Sequence, residues 1–100
     1  MTAHQMRLWG RMHQHIDQYR NGKISFGELV LNLERTLDAC EFKNQDLVKE
    51  WYEFWGPLEI RAALYGSFVK QKDVADELDA FERFLSSVCC AKHTGEVNED

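Results

Sequence analysis

The stretch SFGELVLNLERTLDACE, residues 25–41, decides the fold, because a helix start, an apolar stripe and a helix end follow one another in it. Ser25 and Glu28 have the spacing of a capping box, in which each side chain accepts a hydrogen bond from the other residue's backbone amide. Apolar residues then recur every three or four positions, the period of one helix face; they are Phe26, Leu29, Val30, Leu33, Leu37 and Cys40. The pattern predicts a helix over about residues 26–41.

An apolar stripe with the same period lies on the N-terminal side and predicts a helix over about residues 3–20; its members are Trp9, Met12, Ile16 and Tyr19. Asn21 and Gly22 follow this stripe, and both residue types readily adopt the left-handed conformation that ends many helices. The connector to the next helix is short. The two helices are therefore predicted to form an antiparallel hairpin.

On the C-terminal side, Asn44 is predicted to be the N-cap of a third helix. Its stripe consists of Leu47 or Val48, Trp51, Trp55, Leu58, Ala62, Tyr65 and Val69. The stripe keeps its phase across Gly56 and Pro57, although proline removes one helical hydrogen bond and clashes with the preceding turn. This favours one kinked helix over two separate helices.

Gly66-Ser67 and residues 70–73 mark the last connection. A fourth helix is predicted after it from a further stripe, with Asp73 as its cap; the stripe consists of Val74, Leu78, Phe81, Leu85 and Val88. From residue 93 the chain is polar and acidic without an apolar period, which predicts a disordered tail over 93–100. The sequence thus predicts an all-α fold. It is an antiparallel bundle of about four helices with a kinked third helix, forming a single domain over residues 1–92.

The charge of the chain limits its partners. There are 12 Lys and Arg against 17 Asp and Glu, which gives a formal net charge of -5. Binding to phosphate needs clustered Lys and Arg, so we expect no direct contact with nucleic acid and none with an anionic membrane surface. A basic protein would suit this charge, because complementary fields speed encounter and fix the register of binding.

The cysteines and the first residues indicate a cellular compartment. Cys40 is in phase with the second stripe, which favours a buried and inert thiol, and Cys89 and Cys90 are adjacent and make no paired disulfide framework. The first residues lack the charged and apolar regions of a secretory leader, and no apolar run approaches the roughly 18 residues that span a bilayer. We therefore expect a cytoplasmic protein.

No motif for catalysis, metal binding or a cofactor is found in the sequence. Glycine-rich phosphate loops and nucleophile motifs are absent. His13 and His15 are two residues apart, so a helix turns them roughly 200° away from each other. We expect no catalytic residue, no metal and no cofactor. The alternative, an enzyme whose metal site is assembled from these histidines and acidic neighbours, would retain stoichiometric metal after purification.

Acidic residues are concentrated in two stretches. Residues 38–59 contain six acids against two lysines, and residues 73–82 contain five acids and no base. Such stretches are commonly solvated faces with favourable charges near helix N-termini. The functional interpretation is an acidic patch that meets a basic partner, together with an aromatic anchor. The candidate partner-binding residues are Asp38, Glu41, Glu50, Tyr52, Glu53, Asp73, Asp76 and Glu77.

Two segments resemble a known family. They are YRNGKISFGELVLNLERTLD at residues 19–38 and WYEFWGPLE at residues 51–59, the latter followed by Ala62 and Ala63. They are similar to small bacterial immunity proteins of the colicin D type and of contact-dependent growth inhibition systems. Gly56 and Pro57 depart from the pattern of that family.

The resemblance implies a four-helix protein without enzymatic activity that binds the C-terminal domain of a toxin. The toxin domain is often a basic ribonuclease acting on transfer RNA, and an acidic surface can occupy the cleft meant for RNA phosphates. The alternative from the sequence is a structural or regulatory helical module that has no toxin partner. Whether the chain is a monomer or a homodimer stays open.

Overall fold

The computed structural model describes residues 1–95, with only the backbone of Ser67 and of residues 89–95 described. Residues 1–95 form four α-helices, and two short 3-10 turns at Gly66–Phe68 and Gln71–Asp73 connect the last two of them. The helices are α1 (Ala3–Arg20), α2 (Phe26–Cys40), α3 (Gln45–Tyr65) and α4 (Ala75–Gly95). The described residues contain no strand, and the predicted all-α fold with four helices is confirmed.

Local capping explains where α1 ends and α2 begins. Gly22 has φ +76°, and its amide donates to the carbonyl of Tyr19 at 3.0 Å, while the Lys23 amide donates to Gln18 at 2.8 Å. This pair of bonds is a Schellman motif, and it satisfies carbonyls that the helix leaves without donors. The predicted capping box of α2 is also present: the hydroxyl of Ser25 accepts a hydrogen bond of 3.1 Å from the backbone amide of the third residue of the helix.

Side chain contacts between distant positions establish the antiparallel arrangement. Gln5, near the start of α1, donates from Nε2 to the carbonyl of Cys40 at the end of α2, at 3.0 Å. Trp9 on α1 donates from Nε1 to the carbonyl of Leu85 late in α4, at 2.9 Å. Each early position therefore meets a late one, as neighbouring helices of opposite direction require.

Aromatic side chains fill the centre of the bundle. Trp51 of α3 is fully buried, stacks on Trp55 with ring centroids 5.7 Å apart, and meets Phe81 of α4 edge-on at 5.5 Å. Its indole Nε1 lies 3.4 Å from the sulfur of Met12 on α1. Large aromatics remove about 150–250 Å² each from water, so this cluster joins three of the four helices through one residue.

Helix α3 passes through Pro57 without a break. Proline has no amide hydrogen to donate to the carbonyl of Glu53, four residues earlier. Both residues are exposed, so that carbonyl lies on the side of the helix that faces solvent. The expectation that the apolar phase keeps one helix across Gly56 and Pro57 is confirmed.

One end of the last connection agrees with the sequence-based expectation and the other does not. The connection begins at Gly66 as predicted, because α3 ends at Tyr65 and Gly66 takes φ +52° in a 3-10 turn, although the apolar stripe includes Val69. Asp73 was predicted to cap the fourth helix, and this is wrong. Its carboxylate accepts from the Lys70 amide at 3.2 Å and closes the second 3-10 turn, and α4 begins two residues later.

The C-terminal end of α4 overlaps the predicted tail. The helix runs to Gly95, so residues 93–95 of the predicted tail continue it, and residues 96–100 lie outside the described residues. Propagation adds one backbone hydrogen bond for each residue, so a helix can extend beyond its apolar stripe. Among the helices that the structure describes, none is both long and apolar enough to span a membrane.

The residue that ends α2 has a left-handed backbone conformation, which leads to a prediction about stability. Glu41 takes φ 52° and ψ 46°, and it is the only non-glycine residue of the described chain with positive φ. A side chain in this left-handed region costs roughly 1–2 kcal/mol, which glycine avoids at some cost in chain entropy. We expect Glu41→Gly to raise the free energy of unfolding by about 0.5–1 kcal/mol in urea denaturation. Asp38→Gly, inside the same helix, is expected to lower it by a similar amount, and stabilisation by both changes would contradict this explanation.

Candidate protein-binding surface

Three of the four acids in the described part of α4 pair with two arginines from other helices, and Asp76 is the exception. The guanidinium group of Arg20, at the end of α1, forms ion pairs with the carboxylates of Asp79 at 2.7 Å and Glu82 at 2.6 Å. Arg61 of α3 contacts Glu77 at 2.9 Å. These partly exposed pairs hold helix α4 against α1 and α3, with small individual contributions to stability.

The acids at the end of α2 and the start of α3 have no such partners. Among the described residues, these side chains make no ion pair within 4.0 Å, and all of them are exposed. We call this group the acidic surface; it consists of Asp38, Glu41, Asp46, Glu50 and Glu53. Lys43 and Lys49 lie in the same stretch and offset only part of the charge. The carboxylates of the acidic surface are therefore left to solvent or to a partner.

Helix geometry explains the position of the α3 acids. Asp46, Glu50 and Glu53 follow one another at steps of four and three, so they lie on one face of the helix. Trp51 and Trp55 lie on the opposite face and are buried in the core. Burial of these tryptophans therefore fixes the acids on the outside of the bundle.

Tyr52 lies between the acidic surface and the core. Its ring is partly buried against Trp51 and Trp55, and its hydroxyl donates to Oε2 of Glu34 on α2 at 3.0 Å. Burial raises the pKa of the Tyr52 phenol to about 12, with further contributions from the hydrogen bond and charge of Glu34 and from the charge of Asp38. The predicted aromatic anchor is thus already engaged within the chain. Glu34 was missed by sequence reasoning, although it lies one helical turn before Asp38.

The raised pKa gives a prediction about alkaline pH. Because the neutral phenol is favoured in the folded state, Tyr52 contributes stability below its ordinary pKa of about 10. That contribution is lost as the pH rises towards the folded value of about 12. Burial also raises the pKa of Tyr19, so we expect ultraviolet titration to show late tyrosine ionisation that Tyr52→Phe reduces without abolishing, and Glu34→Gln should shift the Tyr52 part to lower pH. A Glu34→Gln protein with an unchanged titration curve would disprove the role of that carboxylate.

The structure does not bring all of the predicted binding residues together. Asp73 and Asp76 lie where α4 begins, next to the end of α3, and Glu77 there is paired with Arg61. Helix α3 rises about 1.5 Å per residue, so the eleven residues from Glu50 to Arg61 correspond to about 17 Å. The predicted residues therefore form two groups, one at each end of α3.

The histidines and the cysteine have structural contacts. His13 lies 3.6 Å from Glu82, whereas His15 contacts the hydroxyl of Thr36 at 3.3 Å, on a different side of α1. Within residues whose side chains are described, no group of three or more His, Cys, Asp and Glu is arranged to hold a metal ion. Cys40 is buried as predicted, and burial raises its pKa to about 11, which disfavours the reactive thiolate. The side chains of Cys89 and Cys90 lie outside the described residues.

Sequence reasoning also missed a set of exposed bulky apolar side chains. Ile60 and Leu64 on α3 are 55% and 68% exposed, and Phe68 in the following 3-10 turn is 84% exposed. Leu31 is also exposed, at 46%. The prediction that Tyr65 belongs to the core stripe of α3 is wrong, since this last residue of the helix is 49% exposed. Single exposed apolar residues are ordinary, but a group of them marks a candidate interaction site. The sequence pattern that could have predicted this exposure is that Ile60 and Leu64 are one helical turn apart and out of phase with the core stripe.

No protein-family model, characterised protein or solved structure matches this chain.

Proposed function

We propose that this chain is a cytoplasmic immunity protein that binds a bacterial toxin domain and blocks it. The observation that carries the proposal is the uneven pairing of acids: arginines pair with Glu77, Asp79 and Glu82 of α4, whereas none of the five acids of the acidic surface has an ion-pair partner among the described residues. Clustered like charges destabilise a folded chain, and a basic partner would relieve that repulsion. The chain itself performs no chemistry in this proposal and needs no cofactor.

The resemblance to colicin D-type and contact-dependent inhibition immunity proteins supports the same conclusion. Its first segment, residues 19–38, forms the turn after α1 and most of α2, and its second, residues 51–59, forms the centre of α3. These two helices carry the acidic surface. The toxin domain proposed on this basis is a basic nuclease directed against RNA, with transfer RNA as the candidate substrate.

The proposed mechanism is occupation of the nuclease cleft. Carboxylates of Asp38, Glu41, Glu50 and Glu53 would pair with the Lys and Arg side chains that otherwise hold RNA phosphates. Tyr52 would support this contact by holding Glu34 beside Asp38. Binding rather than catalysis then excludes the substrate, so inhibition is stoichiometric.

The acids at the start of α4 have a secondary place in this proposal. Asp73, Asp76 and Glu77 would reach the same toxin only if its basic surface extended along α3 as well. Glu77 is already paired with Arg61, so its carboxylate is less available to a partner than those of the acidic surface. We therefore assign the contact with the cleft to the acidic surface of α2 and α3.

A second candidate function is a non-enzymatic helical module that assembles as a homodimer. The exposed side chains of Leu64 and Phe68 favour it, since exposed apolar groups are often covered by a second copy. Sedimentation equilibrium distinguishes the two candidates. A mass that doubles with concentration would favour the dimer, and a monomer at all concentrations would favour the immunity function.

The proposed function is tested with tagged full-length chain in lysate of the source organism grown under conditions in which the candidate toxin is expressed, at low and high salt. We expect one basic protein in a 1:1 complex, weakened by salt because its charge pairs are screened. Mass spectrometry identifies that protein, and its purified nuclease activity on transfer RNA should fall to zero at one equivalent of this chain. Recovery of the chain alone, or a partner whose activity is unchanged, would refute the proposal.

A further inference from the structure

We propose that the outer face of α3 is a single docking surface with an acidic half and an apolar half. It fits a partner segment on which Lys or Arg side chains lie beside bulky apolar ones. The inference rests on the proposed function for the partner being a basic protein, and it adds the apolar half of the contact. The face consists of Asp46, Glu50, Glu53, Ile60 and Leu64.

Helical spacing places these five residues on one face. Successive steps of four, three, seven and four residues each return close to the same direction around an α-helix. Trp51, Trp55 and Leu58 lie on the other side of α3 and are buried. The face is therefore turned away from the bundle along its whole length, and every residue in it is exposed.

The two halves are close enough for one partner segment to contact both. Seven residues separate Glu53 from Ile60, which corresponds to about 10 Å along the helix axis, and the whole face measures about 27 Å. Pro57 is exposed between the halves and carries no charge. Phe68 follows the face in the next turn of the chain and is the most exposed of the bulky apolar residues. A helix of similar length on the partner could lie along the entire face.

Charge distinguishes the occupant from a second copy of the chain. Each copy carries a net charge of -5 and would bring its own unpaired acids to the contact. Like charges that meet across an interface are unfavourable, whereas Lys and Arg on a partner would compensate the acidic half. The partner of this face is therefore a basic amphipathic segment rather than another α3.

The apolar half is tested with two synthetic helical peptides as long as the face. Both carry Lys opposite the acidic half; one carries Leu and Phe opposite the apolar half, and the other carries Ser there. We expect the Leu and Phe peptide to bind the full chain at least about tenfold more tightly in titration calorimetry. When this peptide is added, the backbone amide chemical shifts of the chain should change mainly at residues 46–64. Equal binding of the two peptides, or shift changes confined to another surface, would overturn the proposal.

Matched variants of the chain provide the second arm. Because Ile60 and Leu64 are exposed, a doubly substituted Ile60→Ser, Leu64→Ser protein should stay folded, which circular dichroism checks. It should lose the preference for the Leu and Phe peptide, while Leu31→Ser on α2 should bind within about twofold of the original chain. An equal loss of this preference in Leu31→Ser would place the apolar contact elsewhere and overturn the assignment. The assignment would also be overturned if the original chain were a dimer that the double substitution converts to monomers.

The failure of this inference and the failure of the proposed function give different results. If a toxin nuclease is inhibited equally well by the original and the doubly substituted chain, the immunity function stands and the apolar half of the face is refuted. If the Leu and Phe peptide binds at α3 but no nuclease is inhibited, the docking face stands and the proposed function is refuted.

Discussion

Replacing Trp51 with alanine is expected to lower the free energy of unfolding by about 3–5 kcal/mol, the largest effect of any single change proposed for this chain. Trp51 is fully buried, and it contacts Met12, Trp55 and Phe81 on three different helices. Removing the indole takes away apolar burial and leaves a cavity that the surrounding helices can fill only in part. Typical domains are stable by about 5–15 kcal/mol, so the loss is a large fraction of the total.

The measurement is urea denaturation followed by circular dichroism, with Leu64→Ala as the control on the same helix. Leu64 is 68% exposed, and alanine is an equally good helix former, so that change should stay within about 0.5 kcal/mol. If Trp51→Ala does not fold at all, Trp51→Phe provides a milder cavity in the same place. A Trp51→Phe protein as stable as the original would contradict the central position of this side chain.

Reversing the charge of the acidic surface is expected to have the largest effect on binding. In the proposed complex, Glu50→Lys and Glu53→Lys should each raise the dissociation constant about tenfold, equivalent to about 1.4 kcal/mol. Each change removes an attraction to a Lys or Arg of the partner and adds a repulsion. We expect faster dissociation, and slower association at low salt where steering is strongest.

The matched control is Asp17→Lys on α1, which changes the net charge of the chain by the same amount at an exposed position outside the acidic surface. It should leave the dissociation rate unchanged and reduce association only slightly. The measurement is surface plasmon resonance with the toxin domain at low and high salt. Equal effects at position 17 and at the two α3 positions would mean that total charge matters and that the acidic surface is no specific site.

Several features of the fold could be predicted from the sequence because they depend on residues close together in the chain. The capping box of Ser25 and Glu28, the left-handed Gly22 and the cap at Asn44 each involve backbone groups within one turn. The apolar period placed Trp51 and Trp55 in the core correctly. It also indicated that α3 would continue through Pro57, since the side facing the bundle keeps its apolar residues on both sides of the proline.

Other features depended on which helices became neighbours. Asp73 has the sequence appearance of a helix cap, but the chain folds into a 3-10 turn and its carboxylate accepts from Lys70 instead. Arg20 neutralises Asp79 and Glu82 from a helix about 60 positions earlier in the chain. No spacing rule connects residues so far apart, so the acids of α4 and those of α3 looked alike in the sequence.

The sequence by itself determined the four helices, the N-caps of α2 and α3 and most of the apolar face that each helix buries, because hydrogen bonding within a turn and the helical period are local properties. Tertiary packing alone decided which acids are neutralised and which face of α3 is left uncovered. Arg61 reaches Glu77 only because α3 and α4 lie side by side, and Ile60 and Leu64 stay exposed because no helix of the described bundle covers that side of α3. Charge pairing and exposure are properties of neighbours in space, and those neighbours are set by the packing of the whole bundle.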